Sequence, residues 1–263
     1  MTLKALRSYS LHDRFSYLLP VLILAGGLAT RLRPITETIP KSLVEVAGEP
    51  FICRQLRYVK SQGVGKVVIC IGYLGEMIQD IVGDGQEFGL KVVYSPDGPK
   101  LLGTGGAIKQ ALHHFPNVLG QAFFVLYGDS FLPIEFGLIQ GVFQSSNKSA
   151  LMTVLKNEDQ WDKSNVVFDG KTLVEYNKTK PRPEMAYIDY GLSILNSSVF
   201  ERYLLGEVFD LAEIFQKLSI LGQLTGYEVF ERFYEIGSHT GLKETEEYFL
   251  KRIKDELRPA AFK

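Results

Sequence analysis

The chain has 263 residues, is 46% hydrophobic and 22% charged, and carries a formal net charge of −1. Those figures describe a globular protein of one core, or one core with a small appendage, and a chain this long buries roughly three quarters of its unfolded surface without staples. The near-neutral balance argues against nucleic acid as a partner, and no apolar run is long enough to span a membrane.

Residues 1–19 read as an extra amino-terminal arm with some helical tendency. No small-residue cleavage site follows them, so a cytoplasmic location is the expectation. Val21 to Ala25 (VLILA) is a continuous apolar run, as expected of a strand buried on both faces. Gly26 and Gly27 then remove side chains at its carboxyl end, and Thr30, Arg31, Arg33, Pro34, Pro40 and Lys41 follow. A buried strand opening into a bare, cationic, proline-stiffened loop suits a phosphate ligand, because glycine amides approach an anion closely and fixed cations neutralise it.

Ser42 to Val46 reads as a short extended piece. A helix follows from Gly48-Glu49-Pro50, with an apolar stripe of Phe51, Leu56 and Val59 and a stop at Gly63. Lys66 to Ile71 is a β-branched strand, Leu74 to Val82 a short helix and Leu90 to Tyr94 another strand. Ser95 to Gly106 is too rich in glycine and proline to be regular, and Thr104 is placed to cap a helix from Gly105 to His113. Phe123 to Tyr127 is a buried strand ending at Gly128-Asp129. This alternation predicts a largely parallel, three-layer α/β sheet.

The later half changes rhythm. Ala150 to Leu155, Val166 to Phe168, Leu173 to Tyr176 and Tyr187 to Leu195 read as strands, with a hairpin turn at Gly170-Lys171. Asp210 to Leu221 reads as a helix, and Leu224 to Tyr227 and Phe233 to Ile236 as short strands. Thr240 to Leu257 is a closing helix with Leu242, Tyr248, Phe249 and Ile253 on one face. The expectation is one α/β domain with an inserted antiparallel piece. Cys53 and Cys70 read as reduced core residues, and the four histidines show no ligand spacing with them, so no zinc is expected.

Asp129, at the end of a buried strand, is a candidate Mg²⁺ ligand, with a turn-forming aspartate as the alternative. The stretch LAGGLATRLRPITETIPKSLVEVAGEP resembles the signature of sugar-1-phosphate nucleotidyltransferases, L-A-G-G-x-G-T-R-L-x-P-x-T followed by P-K-x-L, with Ala29 where the family usually has its third glycine. The likeness runs over about residues 21 to 250; in the LLGTGGAI stretch and in length it is greatest to the heptose- and mannose-1-phosphate guanylyltransferases, and the chain also resembles the muramate-1-phosphate uridylyltransferases. It implies a Rossmann-like nucleotidyltransferase fold over residues 20–258. Its nucleotide-binding half would span about 20–148, its sugar-binding half about 149–238 and its closing helix 239–258, with the antiparallel insertion on the sugar side and no β-helix domain.

The implied partners are an NTP and a sugar 1-phosphate, with guanine the weakly preferred base, Mg²⁺ the cofactor and self-association left open. The implied catalytic set is Arg31, Lys41 and Asp129. Ala25, Gly26, Gly27, Thr30, Arg33, Gly103 and Thr104 would meet the nucleotide. Lys178, Asn165, Asn177, Asp189 and Gly191 would meet the sugar phosphate, with Lys180 competing for the role of Lys178. A D-x-G-T pattern is implied near the carboxyl end. Glu235-Ile236-Gly237-Ser238 stands there, which makes Glu235 the second metal candidate. Two other readings share parts of the pattern: a cytidylyltransferase for a non-sugar alcohol phosphate, and an inactive regulatory homologue.

Overall fold

The computed structural model describes residues 18–157, 160–161 and 163–257; most of the expected arm, 1–17, lies outside them. Thirteen strands are described: β1 Val21–Leu24, β2 Glu45–Val46, β3 Glu49–Pro50, β4 Lys66–Ile71, β5 Lys91–Pro96, β6 Ala122–Tyr127, β7 Ser130–Phe131, β8 Ala150–Lys156, β9 Val166–Phe168, β10 Leu173–Tyr176, β11 Tyr187–Asn196, β12 Leu224–Val229 and β13 Tyr234–Glu235. Seven α-helices accompany them: α1 Phe51–Ser61, α2 Gly75–Val82, α3 Gly103–His114, α4 Pro116–Leu119, α5 Phe136–Ser146, α6 Leu211–Ile220 and α7 His239–Leu257.

The main sheet starts with four parallel strands in the order β5, β4, β1, β6. β11 joins β6 antiparallel, β8 joins β11 antiparallel, and β12 pairs parallel with β8 at the far edge. Successive residues of β1 serve opposite faces. Val21 and Ile23 pack with α1, α2 and α5, while Leu22 packs with α3, α4 and α6. That two-sided burial is why the strand reads as an unbroken apolar run. A third, smaller core joins Leu32 of the loop after β1 to Phe51, Phe131, Ile236 and Phe249, so α7 braces that loop.

Several expectations need correction. β8 and β12 extend the main sheet and do not form a separate antiparallel piece; only the β9–β10 hairpin, docked on the first residue of β11, has that character. Its turn is built as expected at Gly170, with Asp169 Oδ1 accepting from the Lys171 and Thr172 amides. Pro50 lies in a strand before α1 and not in its first turn. α5, absent from the sequence reading, buries Phe136, Ile139, Gln140 and Phe143. Among the described residues, no helix is long and apolar enough to cross a membrane. Cys53 and Cys70 are both buried and unpaired.

Candidate active site

The carboxyl ends of β1, β4 and β6 meet beneath two cavities. Gly26 follows β1 so closely against Gly72, after β4, that a Cβ on Gly72 would lie 2.5 Å from the Gly26 carbonyl oxygen. Only glycine lets these two strand ends touch. Beyond them Ala29 adopts φ 49°, ψ 44°, the left-handed region that disfavours a side chain. The departure from the family's glycine is therefore strained. The buried Thr36 hydroxyl donates to the Ala29 carbonyl at 2.8 Å and holds the turn in place.

The first cavity, ≈ 230 Å³, is lined by Ala25, Gly26, Gly27, Lys41, Ser42, Asp97, Gly103, Thr104, Tyr127 and Asp129, among others. The second, ≈ 520 Å³, is lined by Arg31, Tyr127, Asp129, Gln160, Trp161, Asp189, Tyr190, Gly191, Arg232, Phe233 and Glu235, among others. Asp129 and Tyr127 belong to both, so the two cavities share a wall at the end of β6.

At that wall Lys41 Nζ donates to Asp129 Oδ2 at 2.7 Å, and the Ser130 hydroxyl donates to Oδ1 at 3.1 Å. Both side chains of the ion pair are mostly covered. Glu235 lies beside Asp129 because β13 pairs with β7 and the Ile236 amide donates to the Asp129 carbonyl at 2.9 Å. Its carboxylate folds back, accepting from the Gly237 amide and from the Ser238 hydroxyl, which in turn accepts from the Gly241 amide in the first turn of α7.

Thr30 and Arg33 are exposed and line neither cavity. Asn165 and Asn177 also stand outside the cavity walls, as supports. Asn165 Oδ1 accepts from the Asp189 amide, while Asn177 Oδ1 accepts from the Thr179 and Lys180 amides and fixes the turn carrying the two lysines. Lys178 is exposed, and its charge acts on Asp189. Burial pushes the Asp189 carboxyl up to about 6, against the opposing pull of the Gly191 amide and of Lys178.

Thr104 does not cap α3. Its hydroxyl accepts from the Leu211 amide and donates to Asp210, tying α3 to the start of α6. The glycine run after it serves the same packing, since a Cβ on Gly105 would overlap the Phe209 ring.

Two residues escaped the sequence reading. Asp97, 8% exposed, faces the first cavity; burial raises its carboxyl to about 6, with the Leu102 amide pulling the other way. Ser42, 3% exposed, lines the same cavity with a buried hydroxyl that has no hydrogen-bond partner among the described residues. A buried unpaired hydroxyl costs about 1–3 kcal/mol, which a ligand's acceptor would offset.

Residues 20–249 match the family model described as nucleotidyl transferase. The chain is 32% identical over 197 residues to the D-glycero-alpha-D-manno-heptose 1-phosphate guanylyltransferase of Campylobacter jejuni, covering 74% of this chain and 84% of that one. It is 31% identical over 234 residues to the N-acetylmuramate alpha-1-phosphate uridylyltransferase of Neisseria meningitidis, covering 86% and 96%. Its fold is similar to that of HddC from Yersinia pseudotuberculosis complexed with GMP-PN, with TM-score 0.71 and 25% identity, over 88% of this chain and all (100%) of that one.

Proposed function

Because the chain belongs to the nucleotidyl transferase family, we propose that it joins an NTP to a sugar 1-phosphate, giving an NDP-sugar and pyrophosphate. The observation that carries this is the pair of cavities meeting at Asp129, one walled by glycines and one by aromatics and carboxylates. The nucleotide takes the first, in the half spanning about 20–148, and the sugar phosphate the second, in the half spanning about 149–238.

A sugar phosphate oxygen attacks the α-phosphorus in line, and the bond from that phosphorus to the bridging oxygen of pyrophosphate breaks. The nucleophile is already anionic, so no proton has to be removed. The protein's task is to bring two anions together and to meet charge on the leaving group. Gly27 offers backbone to the phosphates, while Gly26 lies against Asp97 on the side of the base. Arg31, on the wall of the second cavity with Asp129, meets the phosphates where the two cavities join, and Arg33 stays exposed outside both. Lys41 turns from Asp129 towards the α-phosphate, and Ser42 pairs its hydroxyl with the nucleotide. Lys178 seats the sugar phosphate.

Among the described residues no three His, Cys, Asp or Glu side chains cluster as a metal site. Two hard carboxylates, Asp129 just before β7 and Glu235 on the paired β13, nonetheless suit Mg²⁺, which is commonly held by one or two carboxylates and substrate phosphates. Asp129 and Glu235 would hold it, Glu235 giving up its bonds to Gly237 and Ser238. When bound, the ion neutralises charge around the α-phosphate.

Asp97 supports guanine as the base. Its ionised carboxylate offers two acceptors in a row, complementary to guanine N1–H and N2–H; uracil offers one donor between two carbonyls, which a carboxylate repels. The demand for an NTP fits a cytoplasmic location. The test is pyrophosphate release screened over all four NTPs against a panel of sugar 1-phosphates. GTP with a neutral hexose or heptose 1-phosphate should give the highest rate, and no release from any pair would overturn the assignment.

A further inference from the structure

We propose that Trp161 sets which sugar the second cavity accepts, as an apolar platform for a neutral polyhydroxylated sugar. The proposal rests on the reaction assigned above.

The described residues that follow β8 gather around one buried side chain. Asn157 is fully buried; its Nδ2 donates to Ser164 at 3.0 Å, its Oδ1 accepts from the Trp161 amide at 3.2 Å, and its carbonyl accepts from the Gln160 amide at 2.9 Å. What this scaffold presents is a large indole left 41% exposed. The indole is also steadied from the side. The Arg232 guanidinium lies 4.3 Å from its ring centroid and Phe233 meets it edge-on at 6.1 Å. Arg232 is engaged besides by Glu244 at 2.6 Å and by the Tyr234 ring.

Trp161 is also a partition. It lines the ≈ 520 Å³ cavity that contains Asp129 and, with Lys163, Pro181, Arg182 and Met185, a third cavity of ≈ 640 Å³. A sugar whose phosphate sits near Asp129 therefore shares its cavity with the indole.

The charge in the cavity selects further. Asp189 lines the cavity as well, while Glu244 and Arg232 pair with each other and Glu235 and Arg31 serve the metal and the phosphates. A sugar bearing a carboxylate meets like charge there. A neutral sugar lays its C–H face on the indole and gives hydroxyl protons to Asp189. Tyr190, whose ring lines the same cavity, has a buried hydroxyl with no partner among the described residues.

Trp161 is the chain's one tryptophan, so intrinsic fluorescence of the full-length protein reports on it alone. Titration with α-mannose 1-phosphate should change the emission saturably, inorganic phosphate should not, and galacturonic acid 1-phosphate should bind at least about ten-fold more weakly. In steady-state assays Trp161→Ala should raise KM for the neutral sugar phosphate about ten-fold while KM for the NTP stays within about two-fold, and Trp161→Phe should recover most of the loss. An unchanged sugar KM in Trp161→Ala, or equal use of the uronic acid, overturns the proposal and leaves the reaction standing. A saturable emission change with no pyrophosphate release from any substrate pair overturns the reaction and leaves the platform.

Discussion

Asp97→Asn tests the first cavity through stability as well as activity. In the native protein burial holds the Asp97 carboxyl at about 6, against an ordinary value of 3.8. The native state thus binds this proton more tightly than the unfolded state. The contribution of Asp97 to stability falls as pH rises from about 4 to about 6 and is level above that window. A gap of about two pH units, at 1.36 kcal/mol each, makes the ionised carboxylate cost about 3 kcal/mol at pH 8. Asparagine keeps an oxygen to accept the Leu102 amide and removes the buried charge. Asp97→Asn should therefore raise the thermal midpoint at pH 8 by about 5–10 °C, leave it nearly unchanged at pH 4, and make the fall between shallower, the part due to Asp189 remaining. The same variant should lose its preference for GTP over UTP, because an amide also presents a donor. The assay is calorimetric unfolding from pH 4 to pH 8, paired with pyrophosphate release from each NTP. An unchanged midpoint at pH 8 would refute the burial argument, and an unchanged base preference would remove Asp97 from base recognition.

Ala29→Gly should raise the guanidinium midpoint, since relief of a left-handed alanine is worth about 1 kcal/mol, partly offset by glycine's freedom in the unfolded chain; a lower midpoint would contradict the strain. Arg31→Ala should lower kcat/KM by orders of magnitude at an unchanged melting temperature, and unaltered kinetics would take Arg31 off the phosphates. Lys178→Ala should raise KM for the sugar phosphate more than KM for the NTP, with Lys180→Ala doing less, because it is Lys178 whose charge acts on Asp189; the reverse order would shift the assignment by two residues.

What the sequence made legible was contiguous. β1, β4 and β6 are buried on both faces, so they show as apolar runs, and the phosphate loop reads as a loop because its glycines, prolines and cations are neighbours. Asp97 was illegible because a glycine-proline loop makes any aspartate look like a turn residue, and its burial comes from chain segments distant in sequence. Thr104 shows the opposite error: its local pattern suits a cap, yet its hydroxyl serves a helix more than a hundred residues away (|i−j| = 107). α5 carried a readable signal, apolar residues at Phe136, Ile139 and Phe143. However, Gly141, Ser145 and Ser146 weaken it, and its first amide is satisfied from afar by Gln62. Trp161 depends on Asn157 and Arg232 converging from separate loops, which no spacing reveals.

The central claim is transfer of the α-phosphate of an NTP to a sugar 1-phosphate, and isotope transfer measures it. With [α-³²P]GTP, Mg²⁺ and a neutral hexose or heptose 1-phosphate, the label should move into a sugar nucleotide, and [γ-³²P]GTP under the same conditions should yield labelled pyrophosphate. Label that remains in GTP, or that leaves as GMP without any sugar nucleotide, would contradict the account.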